Sequence, residues 1–246
     1  MTHPTLIRRE RAARPLLLDL FCCAGGAAMG YRRAGFDVVG VDIRPRPAYP
    51  FTFVQADALE YLANLITTGE IERFAIVHSS PPCQDKCNLT IGTNQSKGWG
   101  GTHIDLVPPT RVLLEASGLP YVIEQPNGRA KIRKDVWLCG EMFSLGVLRH
   151  RNFELGRWSV TQPLHPKHRG RVRGWRHGEF HDGPYVAPYV APYGNGGGKP
   201  SVPELQTAMG ITWTDVREEL TEAIPPAFSQ WLGTQFLTRA REAVAA

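Results

Sequence analysis

Residues 16–42 read LLLDLFCCAGGAAMGYRRAGFDVVGVD: an apolar run, a loop of small residues, a short helical stretch closed by Gly35, and a second apolar run ending in Asp42. Continuous apolar runs of this length suit strands buried on both faces, and two of them flanking a helix form a βαβ unit. The pattern continues outward. RPRPAYP cannot be helix, FTFVQADA reads as a third strand with an acidic end, EYLANLITTG is an amphipathic helix ending at Gly69, and FAIVHSS is a fourth strand. A helix over Thr110–Ala116 leads to PYVIEQ, a strand stopped by Pro126-Asn127-Gly128. VWLCGEMFSLGV and RNFELGRW fit strand or helix equally. PELQTAMGI and the stretch from Val216 onward return to helix, with Ile224-Pro225-Pro226 as the corner that starts the last one. The fold class expected is α/β, Rossmann-like, with a mostly parallel sheet.

In such sheets ligands bind beyond the carboxyl ends of the strands. The Gly25-Gly26 loop, Asp42, Asp57, Cys83 and Glu124 all fall at such ends. The first loop is not GxGxxG, so the dinucleotide fingerprint is missing. Asp42 is placed to hold ribose hydroxyls, or is an ordinary loop residue. Asp57 is placed for an exocyclic amine, or is a helix cap. After the fourth strand comes SSPPCQ, residues 79–84, where Pro81 and Pro82 stiffen the chain ahead of Cys83. That cysteine reads either as a nucleophile held for attack or as a small apolar filler. The polar segment 84–103 that follows is too long to be an idle connection.

With 246 residues, 42% hydrophobic and 21% charged, the chain suits one large domain or a domain with a small appendage. No apolar run approaches the roughly 20 residues of a membrane span. The basic start, residues 1–15, lacks the apolar core of a secretory signal and is expected to be a tail. Five cysteines make an odd set without a disulfide framework, favouring a reducing cytoplasm. CQDKC has the wrong spacing for a zinc finger and no His-x-x-x-His pair follows, so no metal is expected. The net charge of +5 is concentrated: Gly156–Pro200 carries seven Lys or Arg against two acids, interleaved with six aromatic residues. That composition suits phosphate contacts and base stacking, or else a solvated loop. It divides the chain into a main body, 16–158 with 201–246, and a short basic arm, 159–200.

DLFCCAGGAAMGYRRAGF, VDI, QADA, SSPPCQ, YVIEQPNG, RHRNFE and LTEAIPPAFSQWLG occur in the order seen in the DNA cytosine-5 methyltransferases, whose compact bacterial and phage members the chain resembles over nearly its whole length. The resemblance implies methyl transfer from S-adenosylmethionine to C5 of a cytosine flipped out of duplex DNA, leaving S-adenosylhomocysteine. It implies Cys83 as the nucleophile at C6, Glu124 at N3, and Arg149 and Arg151 near the base. It puts the cofactor against Asp19, Phe21, Ala24, Gly25, Gly26, Asp42, Ile43, Asp57, Ala58, Pro81 and Glu222. The DNA side falls to Pro82, Gln84, Asn127, Arg169, Arg171, Arg173, Trp175 and Arg176. A monomer in a bacterial or phage-infected cytoplasm, within a restriction–modification setting, is the accompanying expectation. Cys23, Leu148 and Glu222 depart from the family's residues, and the arm is short for it. Free cytosine nucleotide, RNA, or a catalytically silent nucleic-acid-binding role therefore stand as alternatives.

Overall fold

The buried apolar runs become the middle of a seven-stranded sheet in the computed structural model, which describes residues 13–82, 105–128, 132–172, 174–176, 179–181, 189–192 and 200–245. Strands β1 (Leu16–Leu20), β2 (Asp37–Asp42), β3 (Thr52–Gln55), β4 (Ile76–Ser79) and β5 (Tyr121–Pro126) are parallel, and β7 (Arg151–Gly156) runs antiparallel between β5 and β6 (Val136–Leu138). The order is β3-β2-β1-β4-β5-β7-β6. The expected Rossmann-like α/β sheet is thus present. The two segments of undecided type prove to be β6, a 3-10 turn at Gly140–Phe143, and β7.

Alternation along the strands sends side chains to two cores. Leu17, Val38, Ile76 and Val122 face one side, under helices α1 (Gly26–Ala34) and α6 (Pro226–Ala245). Leu18, Val39, Val77 and Ile123 face the other, under α2 (Ala58–Thr68) and α3 (Val107–Ala116). Burial on both faces explains why these strands lack polar alternation. Helix α6 does begin at the predicted Pro-Pro corner. It lies hard against α1: a Cβ on Gly30 would come within 2.1 Å of the Pro226 carbonyl.

A third core gathers Val147, Leu205, Met209, Ile211 and Leu220 around α4 (Val202–Met209) and α5 (Arg217–Glu222). Beyond β7 the chain from Ser159 to Arg171 is irregular, and a small hairpin of β8 (Gly174–Arg176) and β9 (Glu179–His181) follows. The arm is not detached from the body: Val172 bridges to buried Tyr189, and the Val190 amide donates to the Gly146 carbonyl at 2.8 Å.

Candidate active site

Strand order reverses between β1 and β4, so the loops leaving those two strands flank the crevice where an open α/β sheet takes its ligand. The loop after β1 is built under strain. Phe21 (φ 57°) and Cys23 (φ 46°) adopt left-handed backbone without being glycine, and Gly25 (φ 78°) does so freely. The Cys22 amide bonds to the Val41 carbonyl, the Cys23 amide to Asp42 Oδ2, and the Trp213 indole donates to the Ala24 carbonyl at 2.7 Å. Glycine is required at Gly26 for a packing reason as well, since a Cβ there would lie 2.2 Å from the Ile224 carbonyl oxygen.

Asp19 stands inside β1 just before this loop and is 1% exposed. Neither carboxylate oxygen has a hydrogen-bond partner of ordinary geometry. Burial first, then the negative charge of Asp42, pushes its pKa up to about 8, against a small opposing pull from the Ala28 amide. Asp42, at the end of β2, is anchored differently. It accepts from the Cys23 and Arg44 amides and pairs with Arg46 at 3.2 Å. A carboxylate offers about four acceptor sites, so this arrangement leaves little room for ribose hydroxyls beside Arg46. Next to it Ile43 is 65% exposed, an apolar side chain held in the open at a strand end. Arg46 goes on to reach Glu219 at 3.5 Å. The sequence reading missed this bridge, because RPRPAYP carries no signal beyond its aversion to helix.

Asp57 is the cap of α2: its Oδ1 accepts from the Leu59 and Glu60 amides at 2.8 and 3.0 Å, with Ala58 buried behind it. The cap engages Oδ1 alone in these two bonds. Glu222, at the end of α5, lies 4.0 Å from the Cys23 thiol, and burial together with Glu218 raises its pKa.

On the other side of the crevice, β4 and β5 pair in register through Ser79 and Ile123. Pro81 is buried, and its carbonyl accepts from the Gln125 side-chain Nε2 at 2.6 Å, which ties the Pro81-Pro82 corner to β5 beside Glu124. Pro82 is exposed. Glu124 is buried and meets Arg151 of β7 with Oε1 2.6 Å from Nε. In the antiparallel register Glu124 faces Phe153, so Arg151, two residues along, shares its face. Asn127 is exposed just past the strand.

Arg149 has backbone partners of its own. Buried, with φ 32°, it donates to the Pro192 carbonyl at 3.1 Å and the Thr221 carbonyl at 2.7 Å, joining the end of the arm to α5. Arg169, expected on phosphate, is instead ion-paired with the buried Glu141. Arg171 is exposed. Cys83, Gln84 and Arg173 lie outside the described residues, as do the side chains of Trp175 and Arg176 in β8.

No metal was expected from local spacing. Among the described residues, however, Cys139, His150, His165 and His168 bring one ligand atom each within 4.8 Å of one another. The His-x-x-His step at 165–168 was the one available signal, and it lay in a segment read only for its charge.

No family profile and no curated protein sequence matches this chain. Solved structures do. An Escherichia coli protein named "putative DNA modification methyltransferase encoded within prophage" superposes with a TM-score of 0.59 at 12% identity, over 91% of this chain and 99% of that one. The methyltransferase EhMeth of Entamoeba histolytica gives 0.53 at 11% identity, over 91% and 98%. At such identities the likeness establishes the shared fold. No helix among the described residues is long and apolar enough to cross a membrane.

Proposed function

We propose that this protein is a DNA methyltransferase that transfers the methyl group of S-adenosylmethionine to C5 of cytosine through a covalent bond between Cys83 and C6. The observation that carries this reading is the junction of β4 and β5. Two residues before Cys83 the chain is bonded to Gln125, next to a buried glutamate that an arginine from the adjacent strand holds at 2.6 Å. The chain leading to Cys83 from β4 and the Glu124 carboxylate of β5 are thus held side by side up to Pro82. The two full-length structural neighbours, both named methyltransferases, add support by analogy of fold.

The residues around the β1 loop fit the cofactor. Asp19 is a buried carboxylate without an ordinary partner, suited to a cationic group, and exposed Ile43 offers an apolar surface for an adenine. When bound, S-adenosylmethionine supplies the electrophilic methyl group and leaves as S-adenosylhomocysteine. The chain's own residues do the rest. Cytosine must leave the duplex stack to be reached. The Cys83 thiolate adds to C6, and Glu124 at N3 stabilises the enamine whose electron pair now sits at C5. Once C5 has been methylated, loss of its proton to a base expels the cysteine as thiolate and restores the ring.

Cys83→Ala abolishes turnover in this scheme but leaves S-adenosylmethionine binding intact by calorimetry. DNA containing 5-fluorocytosine traps wild type as an adduct stable to denaturant, because fluorine cannot leave C5 as a proton does. Activity retained in Cys83→Ala would end the covalent mechanism. Preference for dCMP or RNA over duplex DNA in parallel assays would move the same chemistry to another substrate.

A further inference from the structure

We propose that Cys139, His150, His165 and His168 hold one zinc ion, which fastens the start of the basic arm to the β6–β7 edge of the sheet. The four donors come from three separate segments that the β6–β7 register and one side chain bring to one point. Cys139 directly follows β6 and His150 directly precedes β7. The pairing of Leu138 with Arg151 therefore sets these two residues across from each other at the end of the hairpin. His165 and His168 arrive from the irregular chain after β7, and that chain is stitched to β6 independently of any ion. The Gln162 side chain accepts from the Trp137 amide and donates to the Trp137 carbonyl, both at 2.9 Å. The Trp137 ring then lies against both His165 (4.7 Å between centroids) and His150 (5.8 Å).

Two of the donor–donor distances match a tetrahedral ion, and all four donors lie within 4.8 Å of one another. Bond lengths of ordinary zinc sites place neighbouring nitrogens about 3.3 Å apart and a sulfur and a nitrogen about 3.6 Å apart. His168 Nε2 is 3.3 Å from His165 Nε2 and 3.5 Å from Cys139 Sγ. One ring nitrogen thus faces a second ring nitrogen and a thiol at once, and a single proton can serve only one of those contacts. A cation at their centre serves all of them. One thiolate with three imidazoles is a donor set and shape that select zinc over the hard oxygen-seeking cations. Four protein ligands leave no open coordination position, so the role is structural, and none of the four takes part in the chemistry proposed above. The ion would close the exit of the arm against the sheet, beside the Glu141–Arg169 ion pair and the Cys139 amide's contact with Met142 Sδ at 3.3 Å.

The test needs no activity assay. Full-length protein expressed with zinc and dialysed without chelator is expected to carry one zinc per chain by inductively coupled plasma mass spectrometry. Replacing the zinc with cobalt is expected to give tetrahedral d–d bands and a thiolate-to-cobalt charge-transfer band, the latter abolished in Cys139→Ser. Because Cys139 is buried, that variant could fail to fold, so His168→Ala, at an exposed position, is the second arm. It is expected to keep its circular dichroism spectrum while zinc affinity falls by about tenfold or more. Wild type that retains no stoichiometric zinc overturns the proposal, as does a folded His168→Ala that holds zinc as tightly as wild type.

Discussion

Asp19 and Glu154 are buried carboxylates on the same sheet, and the fold treats them in opposite ways. Glu154, on β7, is fully buried and receives Arg111 as a two-pronged partner at 2.8 and 2.7 Å, with the Arg133 amide at 2.9 Å. Burial would raise its pKa, but the hydrogen bonds and charges of Arg111 and Arg133 outweigh that and hold it below the usual range. Asp19 has no such cation and is pushed up to about 8. The fold supplies arginines to Glu154, which lies away from the crevice. It withholds one at the β1 end of the crevice, where a bare carboxylate costs stability that a cationic ligand could offset.

Asp19→Asn breaks the contrast most strongly. The native state keeps the Asp19 proton up to about pH 8, whereas the unfolded chain releases it near 3.8. Between those values the native state binds more protons, so this residue's contribution to stability falls as pH rises through the window. Each unit amounts to roughly 1.4 kcal/mol, which makes the asparagine variant more stable than wild type by about 3–5 kcal/mol at pH 8 and nearly equal to it at pH 4. Urea unfolding at the two pH values reads this directly. The same variant is expected to bind S-adenosylmethionine more weakly, and unimpaired binding would remove Asp19 from the cofactor site.

Glu154→Gln has the opposite sign. It removes the carboxylate that joins Arg111 to Arg133, but Arg111 is 26% and Arg133 53% exposed, so both can recover water, and Arg133 keeps Asp135 at 3.5 Å. A loss of about 2–3 kcal/mol in the same unfolding experiment is expected, the lower end of what breaking a buried pair costs. A gain in stability here would mean that burial, not pairing, dominates on β7 as it does on β1.

Glu124 stands between the two: buried like both, and matched with Arg151 like Glu154. It sits near the carboxyl end of β5, so Glu124→Gln is expected to lower the rate of methyl transfer by about 10²-fold or more with little change in melting temperature. If melting falls and the rate does not, Glu124 belongs with Glu154 as a structural residue.

What was legible in the sequence followed from the physics of single elements. Runs buried on both faces announce parallel strands, and glycine and proline mark their ends, so the crevice with Asp42 and Glu124 could be found by reading strand ends, whereas Asp19, inside β1, came only from the family resemblance. Asp57 was ambiguous because one carboxylate type serves both a cap and a ligand, and only the bonds to Leu59 and Glu60 show the cap. Arg149 and Arg151, two apart, would share a face of a strand. The left-handed backbone at Arg149, just outside β7, turns its side chain to Pro192 and Thr221 instead. β6 is three residues long and carries no readable period. Cys139 and the three histidines come from separated segments whose approach depends on the β6–β7 register and on Gln162, neither of which has a local signature.

The smallest expected effect separates two arginines of the arm that the sequence treats alike. Glu141, a third buried carboxylate, takes Arg169 as its cation, so Arg169 is engaged by the protein in the way Arg111 is. Arg171 is exposed on the same segment. Removing one cation from a duplex phosphate flattens the dependence of log affinity on log salt by about 0.9. Arg171→Ala is therefore expected to reduce that slope by about 0.9, measured by fluorescence anisotropy across a salt series. Arg169→Ala should leave the slope within error and instead lower the unfolding midpoint slightly, because at 46% exposure the arginine is well screened while Glu141 is left buried without it. Equal slope changes in the two variants would show that Arg169 releases Glu141 to reach DNA, and the arm would then have to rearrange when it binds.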